Sequence, residues 1–254
     1  MKAEATRSLG PPQAAPAARL RPMGTISVII PALNEEGNLG GTLEAVTSVV
    51  ESLFREYEVI VVNDGSRDGT LRIAESWAHR NPRIRVVSHP SPRGFGYSYH
   101  SGRRLVTKEH CVMIHGDNAF SRQTLSHFLS HAGKADVICG YIANPESRSW
   151  LRRIVSSAYT GLLNALFARR LRYYNGLQIH STEWLRTMPL ESVGFGFQAE
   201  LLLWAIRTRK RILQVPTWHQ ERPGGGATKI FKWRNIISVL GTLLRLRFGI
   251  PVSR

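Results

Sequence analysis

The chain has 254 residues, 43% of them hydrophobic and 20% charged, a globular composition that excludes a disordered, collagen-like or coiled-coil protein. Its formal charge is +16, and the excess sits late: residues 1–144 carry +3 and residues 145–254 carry +13. No run reaches the roughly 18–20 consecutive apolar residues of a membrane-spanning helix. Cys111 and Cys139 stand far apart in apolar runs, which excludes a disulfide scaffold or a cysteine zinc site and reads as reduced core thiols of a cytoplasmic protein.

Residues 1–24 are rich in Ala, Pro and Arg and lack the apolar stretch of a secretory signal, so they read as a disordered tail. Folding is expected to begin at Thr25, with Ile26-Ser27-Val28-Ile29-Ile30-Pro31 as a buried parallel strand. After a polar loop, Leu39, Leu43, Val46, Val49, Val50 and Leu53 recur at helical spacing. A second strand, residues 58–64, turns at Gly65–Gly69 into a helix bearing Ile73, Ala74 and Trp77, and a third strand covers 84–87. Residues 99–109 are weakly helical, 111–115 form a strand, a helix follows around 122–132, and 136–140 is another strand. Strand and helix alternate, so the expected fold is α/β, with a mostly parallel sheet and helices on both faces.

The character changes after residue 144. Trp150, Leu151, Ile154, Val155, Tyr159, Leu162, Leu163, Leu166 and Phe167 form an amphipathic helix over 148–170, with Arg148, Arg152, Arg153, Arg169 and Arg170 at its ends. A short helix over 199–209, a strand over 211–216, a glycine loop at 223–226 and a basic amphipathic segment over 230–254 complete the chain.

In an open parallel sheet, ligands bind outside the carboxyl ends of the strands. Three such ends carry polar clusters: Asn34-Glu35-Glu36, Asn63-Asp64-Gly65-Ser66 and His115-Gly116-Asp117-Asn118. Any one of them alone is equally well a turn or a helix cap, because Asn, Asp and Gly are ordinary turn residues. Three on one edge point to a ligand. No G-x-G-x-x-G opens the first helix and no G-x-x-x-x-G-K-[ST] is present, which excludes a classical dinucleotide site and a P-loop.

Pro31-Ala32-Leu33-Asn34-Glu35-Glu36, Val62-Asn63-Asp64-Gly65-Ser66-Arg67-Asp68-Gly69-Thr70 and Gly116-Asp117 resemble the signature segments of family 2 glycosyltransferases with the GT-A fold. The resemblance is closest to the dolichyl- and polyprenyl-phosphate branch and covers roughly residues 25–230. It implies a glycosyltransferase domain over 25–229, and Pro31, Leu33, Asn34, Glu35 and Asp64 around the nucleotide of a nucleotide-sugar donor. The D-x-D triplet of the family, which holds Mg²⁺ or Mn²⁺ on the donor diphosphate, is matched by His115-Gly116-Asp117, so Asp117 is the expected metal ligand. His115 and Gly116 then fall to donor contact, with His115 as a metal ligand or as a plain strand end the other two readings. The branch often has a glutamine where this chain has Ala119.

Gly194-Phe195-Gly196-Phe197-Gln198-Ala199-Glu200 resembles the segment whose acid lies near the reaction centre, which makes Glu200 a catalytic candidate; the alternative is an exposed helix residue. Arg222, Thr228 and Lys229 resemble the R-x-G-x-S-K segment that captures an acceptor phosphate, with a solvated basic loop as the alternative. Asn175-Gly176-Leu177-Gln178 stands where the family has an aspartate-led segment, and it lacks the aspartate.

Family 2 enzymes invert, so the acceptor oxygen is expected to attack the anomeric carbon directly; the branch resemblance implies a polyprenyl phosphate as acceptor, with a hydroxyl, and Glu200 as its base, as the alternative. The basic amphipathic helices suit an anionic membrane surface, on its inner face; core helices with snorkelling arginines are the other reading. Nucleic-acid binding is disfavoured because no recognition motif or exposed aromatic platform accompanies the charge. The sequence leaves the oligomeric state open.

Overall fold

The computed structural model describes residues 23–190, 192–194 and 196–221. In chain order the elements are β1 (Met23–Ala32), α1 (Leu39–Leu53), β2 (Phe54–Asn63), α2 (Thr70–Arg80), β3 (Ile84–Ser88), α3 (Phe95–Arg103), β4 (His110–Met113), α4 (Arg122–Leu129) and β5 (Val137–Ile142). A short 3₁₀ turn at Pro145–Ser147 leads into α5 (Trp150–Phe167), followed by β6 (Gln178–Ser181), α6 (Thr182–Thr187), α7 (Phe197–Arg207) and β7 (Ile212–Thr217).

The seven strands form one sheet in the order β3-β2-β1-β4-β6-β5-β7. β1 pairs in parallel with β2 and β4, and β5 with β7, whereas β6 runs antiparallel between β4 and β5. Period-2 alternation sends successive residues to opposite faces, and because both faces are covered, residues 28–30 of β1 and 59–62 of β2 are apolar throughout. Ile26, Val28, Ile30, Val59 and Val61 pack in a cluster with α1, α2 and α4 residues, while Ile29, Ile60 and Val62 pack with Tyr99 of α3 and with Phe197 and Leu201 of α7. A third cluster joins Leu163 of α5 to Val137, Cys139 and α7. Cys111 and Cys139 are free and buried, and burial pushes both thiols up to about 12, which keeps them protonated and unreactive.

Four expectations need adjusting. β1 starts at Met23, inside the segment read as a tail, because Met23 pairs with Phe54 and Glu109 Oε2 accepts from the Thr25 N–H at 2.9 Å. The weak helix expected at 99–109 is α3 and lies earlier. It ends at Arg103 because the stretch beyond it is held from outside: Arg85 donates to Leu105 O at 2.7 Å, and Thr107 donates to buried Glu58. The helix expected around 122–132 stops at Leu129, where Ser130, His131 and Ala132 bond back in turns. Finally, β6 and α6 lie in a stretch for which the sequence offered no element.

His180 on β6 is 2% exposed, 3.1 Å from Gln178 Oε1 through Nε2 and stacked on Trp184 at 5.3 Å. Burial lowers its pKa to about 3. The unfolded chain therefore takes up a proton near pH 6.5 that the folded chain refuses, and stability falls as pH drops below 6.5, by at most about 1.4 kcal/mol per pH unit. His180→Phe should flatten the fall in melting temperature between pH 6.5 and 4. An unchanged pH dependence in that variant would assign the acid sensitivity elsewhere.

Candidate active site

The three polar loops follow the carboxyl ends of β1, β2 and β4, which neighbour one another in the sheet, and the crevice expected outside a parallel sheet falls between them. Where β1 ends, Asn34 adopts φ +52°, a left-handed turn that asparagine tolerates, and this brings the chain back over the loop after β2. The two loops are clasped to each other. The Asn34 N–H donates to Ser66 Oγ at 3.0 Å, Asn34 Oδ1 accepts from the Arg67 N–H at 2.9 Å, and the Glu35 N–H donates to Thr70 Oγ1 at 2.7 Å. One step further out, the Glu36 N–H donates to Asp68 Oδ2 and Glu36 Oε2 accepts from the Gly69 N–H. Many of the polar residues in these motifs thus fix the shape of the crevice.

Asp64 is 3% exposed, and its backbone N–H is tied to Ala32 O at 2.9 Å, which locks the exits of β1 and β2 together. Its carboxylate accepts from the backbone N–H groups of Arg93 and Gly94 and lies 2.8 Å from His89 Nδ1. Glu35 is half-buried; Oε2 accepts from Asn38 Nδ2 at 2.9 Å and its carbonyl accepts from the Asn38 and Leu39 N–H groups where α1 begins.

The third loop is wedged against the first. The Gly116 N–H donates to Pro31 O at 3.2 Å, and a Cβ on Gly116 would sit 3.1 Å from Ala32 Cβ and 3.2 Å from Pro31 O, so the close approach is tightest without a side chain. Asp117 follows, 8% exposed, with Oδ1 accepting from the Ala119 N–H at 3.3 Å. Asn118, at φ +52°, donates its N–H to Thr42 Oγ1 of α1. Ala119 is buried, and its carbonyl accepts from the Gln220 N–H, while Gln220 Nε2 donates to Asn118 O at 2.9 Å. Phe120 pairs with His219 in an antiparallel bridge.

The His115 ring lies flat against Phe95, 4.8 Å between centroids and 28° between planes, and Phe95 in turn contacts Phe197 of α7. Three residues along that helix is Glu200. It is 3% exposed, which removes the exposed-helix reading; Oε2 accepts from the Ser192 N–H at 3.0 Å. The turn it holds covers the start of α3, where the Tyr97 N–H donates to Val193 O and His100 Nε2 lies 3.1 Å from Ser192 O.

The sequence pattern described as Glycosyl transferase family 2 matches residues 27–194. The chain belongs to that family. Its relatives include a low-salt glycan biosynthesis hexosyltransferase from Haloferax volcanii, 27% identical over 238 residues, and an undecaprenyl-phosphate mannosyltransferase from Micrococcus luteus, 28% identical over 216. The alignments cover 89% and 79% of this chain, but 56% of the Haloferax protein against 85% of the Micrococcus one, so this chain spans little more than half the length of the first. A solved structure of glucosyl-3-phosphoglycerate synthase from Mycobacterium tuberculosis superposes with a TM-score of 0.68 at 24% identity, over 91% of this chain and 82% of that one. The fold is that of the GT-A glycosyltransferases.

For this family 2 chain, the described structure gathers Pro31, Leu33, Asn34, Glu35, Asp64, His115, Gly116 and Asp117 on one sheet edge. Arg222, Thr228, Lys229 and the 230–254 segment lie outside the described residues; Gln220, two positions before Arg222, contacts the Asp117 loop. The Asn175–Gln178 stretch is structural. A Cβ on Gly176 would run into Gly140 O, and Gln178 Nε2 donates to the carbonyls of Tyr174 and Gln198. His89 and Arg93 escaped the motif reading, although His89 follows β3 at the same carboxyl edge and the strand-end rule reaches it.

Among the described residues, no three His, Cys, Asp or Glu side chains converge into a metal cage. A single buried carboxylate at a strand end fits a different arrangement, in which a hard dication takes most of its ligands from substrate phosphates and water.

Proposed function

We propose that this glycosyltransferase moves a sugar from a nucleotide-sugar donor to a polyprenyl phosphate, with inversion, at the inner face of an anionic membrane. The observation that carries this reading is the linkage between the crevice and α5. Asn144, just before α5, donates through Nδ2 to His219 O at 2.8 Å and accepts from the His219 N–H at 2.9 Å, and the neighbouring Gln220 bonds to the Asp117 loop. α5 then exposes an apolar stripe: Trp150 is 69% exposed, Ile154 56% and Leu151 47%. Between Glu146 and Glu183 the sequence contains no acid and six arginines. An apolar stripe with cations at its ends suits the headgroup plane, where each basic residue near an anionic surface adds about 1 kcal/mol. A lipid-borne phosphate would then meet the protein beside Asp117. Among the described residues no helix is long and apolar enough to cross a membrane.

The donor reading rests on the two clasped loops, on the third wedged against the first of them, and on family membership. Asp117 is the residue that would hold Mg²⁺ or Mn²⁺ on the donor diphosphate; the mycobacterial synthase has been crystallised with Mn²⁺ and uridine diphosphate. A dication bound there supplies charge neutralisation on the departing diphosphate. The chain's own residues orient the donor through the Asn34 and Asp64 loops, and Gly116 lets the Asp117 loop approach β1. A lipid phosphate is already anionic at neutral pH and attacks the anomeric carbon as the bond to the diphosphate breaks, so it needs no general base. This agrees with the burial of Glu200, whose carboxylate holds the Ser192 turn.

The test is co-sedimentation with vesicles. Wild-type chain should pellet with anionic vesicles, less so as salt rises, because exposed charges are screened within about 8 Å at physiological ionic strength. The triple variant Trp150→Ser, Ile154→Ser and Arg153→Gln should stay in the supernatant while keeping its nucleotide affinity. Equal pelleting of variant and wild type would mean that α5 does not dock on the membrane.

A further inference from the structure

The Asp64 carboxylate is 5% exposed, and its hydrogen bonds lead to a partner outside the family motifs. Oδ1 accepts from the Arg93 N–H at 2.9 Å and faces His89 Nδ1 at 2.8 Å, and Oδ2 accepts from the Gly94 N–H at 2.8 Å. An ionised carboxylate only accepts, so its contact with His89 places the proton on Nδ1. The other ring nitrogen, Nε2, lies 2.9 Å from Ser101 Oγ on α3, and the His89 backbone N–H donates to Asn63 O. A hydrogen-bonded chain thus runs from Ser101 through His89 and Asp64 to the backbone of Arg93 and Gly94. It ties α3 and the ends of β2 and β3 to one short loop.

That loop is where rigidity has a use. Gly94, the residue just before α3, adopts φ +104°, a conformation that side chains disfavour. Arg93 stacks its guanidinium 3.7 Å over the Tyr97 ring. Across the loop, a Cβ on Gly65 would lie 2.5 Å from Ser91 C, so the 91–94 segment is pressed against the turn after β2. It forms a wall of the crevice beside the clasped β1 and β2 loops.

We propose that His89 is a positioning residue for the donor: it aims the Asp64 carboxylate at the Arg93–Gly94 backbone and so sets this wall of the nucleotide crevice. The inference rests on the reading of the crevice as a nucleotide site. Asp64 acts through the loop that its carboxylate holds, and His89 acts through Asp64. Asparagine can replace the Nδ1 donor with its own Nδ2, whereas leucine fills the space and donates nothing.

The experiment titrates uridine and guanosine diphosphates, with Mn²⁺, into the full-length chain and its His89→Asn, His89→Leu and Ser101→Ala variants, with thermal unfolding in parallel. His89→Asn should bind the preferred diphosphate within about threefold of wild type, and His89→Leu should weaken it about tenfold or more, the usual effect of losing a hydrogen bond to a charged group. In transfer assays the leucine variant should raise the donor KM and leave kcat nearly unchanged. Failure of the wild type to bind either diphosphate would overturn the crevice reading itself. Firm wild-type binding that His89→Leu leaves intact would overturn the role of His89 alone, as would equal losses in the Asn and Leu variants that track their melting temperatures. If His89→Leu does not fold, Ser101→Ala decides: an affinity loss of about two- to fivefold supports the relay, and wild-type affinity overturns it.

Discussion

Asp117→Ala should abolish sugar transfer while the protein stays folded. Asp117 is the one carboxylate of the matched metal triplet, because His115 stands where the family pattern has its other aspartate. It is 8% exposed and its Oδ1 accepts from the Ala119 N–H at 3.3 Å, a long bond whose loss costs about 1 kcal/mol of stability. The activity lost is of another order. Removing a group that stabilises charge on a departing diphosphate typically lowers kcat about 10²–10³-fold. Asp117→Asn keeps the shape and removes the charge, so it should be as inactive as the alanine variant and melt at the wild-type temperature. Near wild-type kcat in either variant would show that Asp117 does not serve the reaction.

The second large effect is on donor affinity. Asp64→Ala leaves two backbone N–H groups, those of Arg93 and Gly94, and the His89 ring without their acceptor. The loop that they hold should loosen, and nucleotide affinity should fall by about 2–4 kcal/mol, roughly 30- to 1000-fold. Glu35→Ala should cost less. Its carboxylate is half-buried and accepts from Asn38 at 2.9 Å, whereas Asp64 is nearly fully buried and holds two backbone amides and a ring nitrogen. Calorimetric titration of nucleoside diphosphate into both variants measures the ranking. Equal affinities, or a larger loss for Glu35→Ala, would reverse the roles assigned to these two carboxylates.

The cores of β1 and β2 were legible in the sequence because residues 28–30 and 59–62 are buried on both faces and apolar throughout. β6 was not legible. Gln178-Ile179-His180-Ser181 is short and mostly polar, and it is a strand because β4 and β5 flank it and because Gln178 finds carbonyl partners far along the chain. Met23 and Gly24 escaped notice for a similar reason, since pairing with β2 and the contacts of Glu109 recruit residues that have no strand signal of their own.

The site divides along the same line. Asn34, Asp64 and Asp117 could be found because strand ends and family motifs both select them. That Asp64 is engaged by the backbone of a loop some thirty residues away, or that Glu200 holds Ser192 behind the start of α3, depends on tertiary contacts that leave no periodic trace. α5 is the opposite case. Its amphipathic pattern was plain, yet the pattern alone left core packing and surface docking both open; the exposure of Trp150 and Ile154 takes those side chains out of the core, and their proposed docking is what the vesicle experiment tests.

The most direct measurement is transfer of labelled sugar from uridine- and guanosine-diphosphate sugars to a polyprenyl phosphate in anionic vesicles, with Mn²⁺ or Mg²⁺ and again with a chelator. Label should enter the lipid phase from one of these donors in the presence of the metal, fall to background with the chelator, and stay at background for Asp117→Ala. Lipid labelling that persists undiminished in the chelator, or label that reaches only water-soluble acceptors whichever donor is offered, would contradict a metal-assisted transfer to a lipid phosphate.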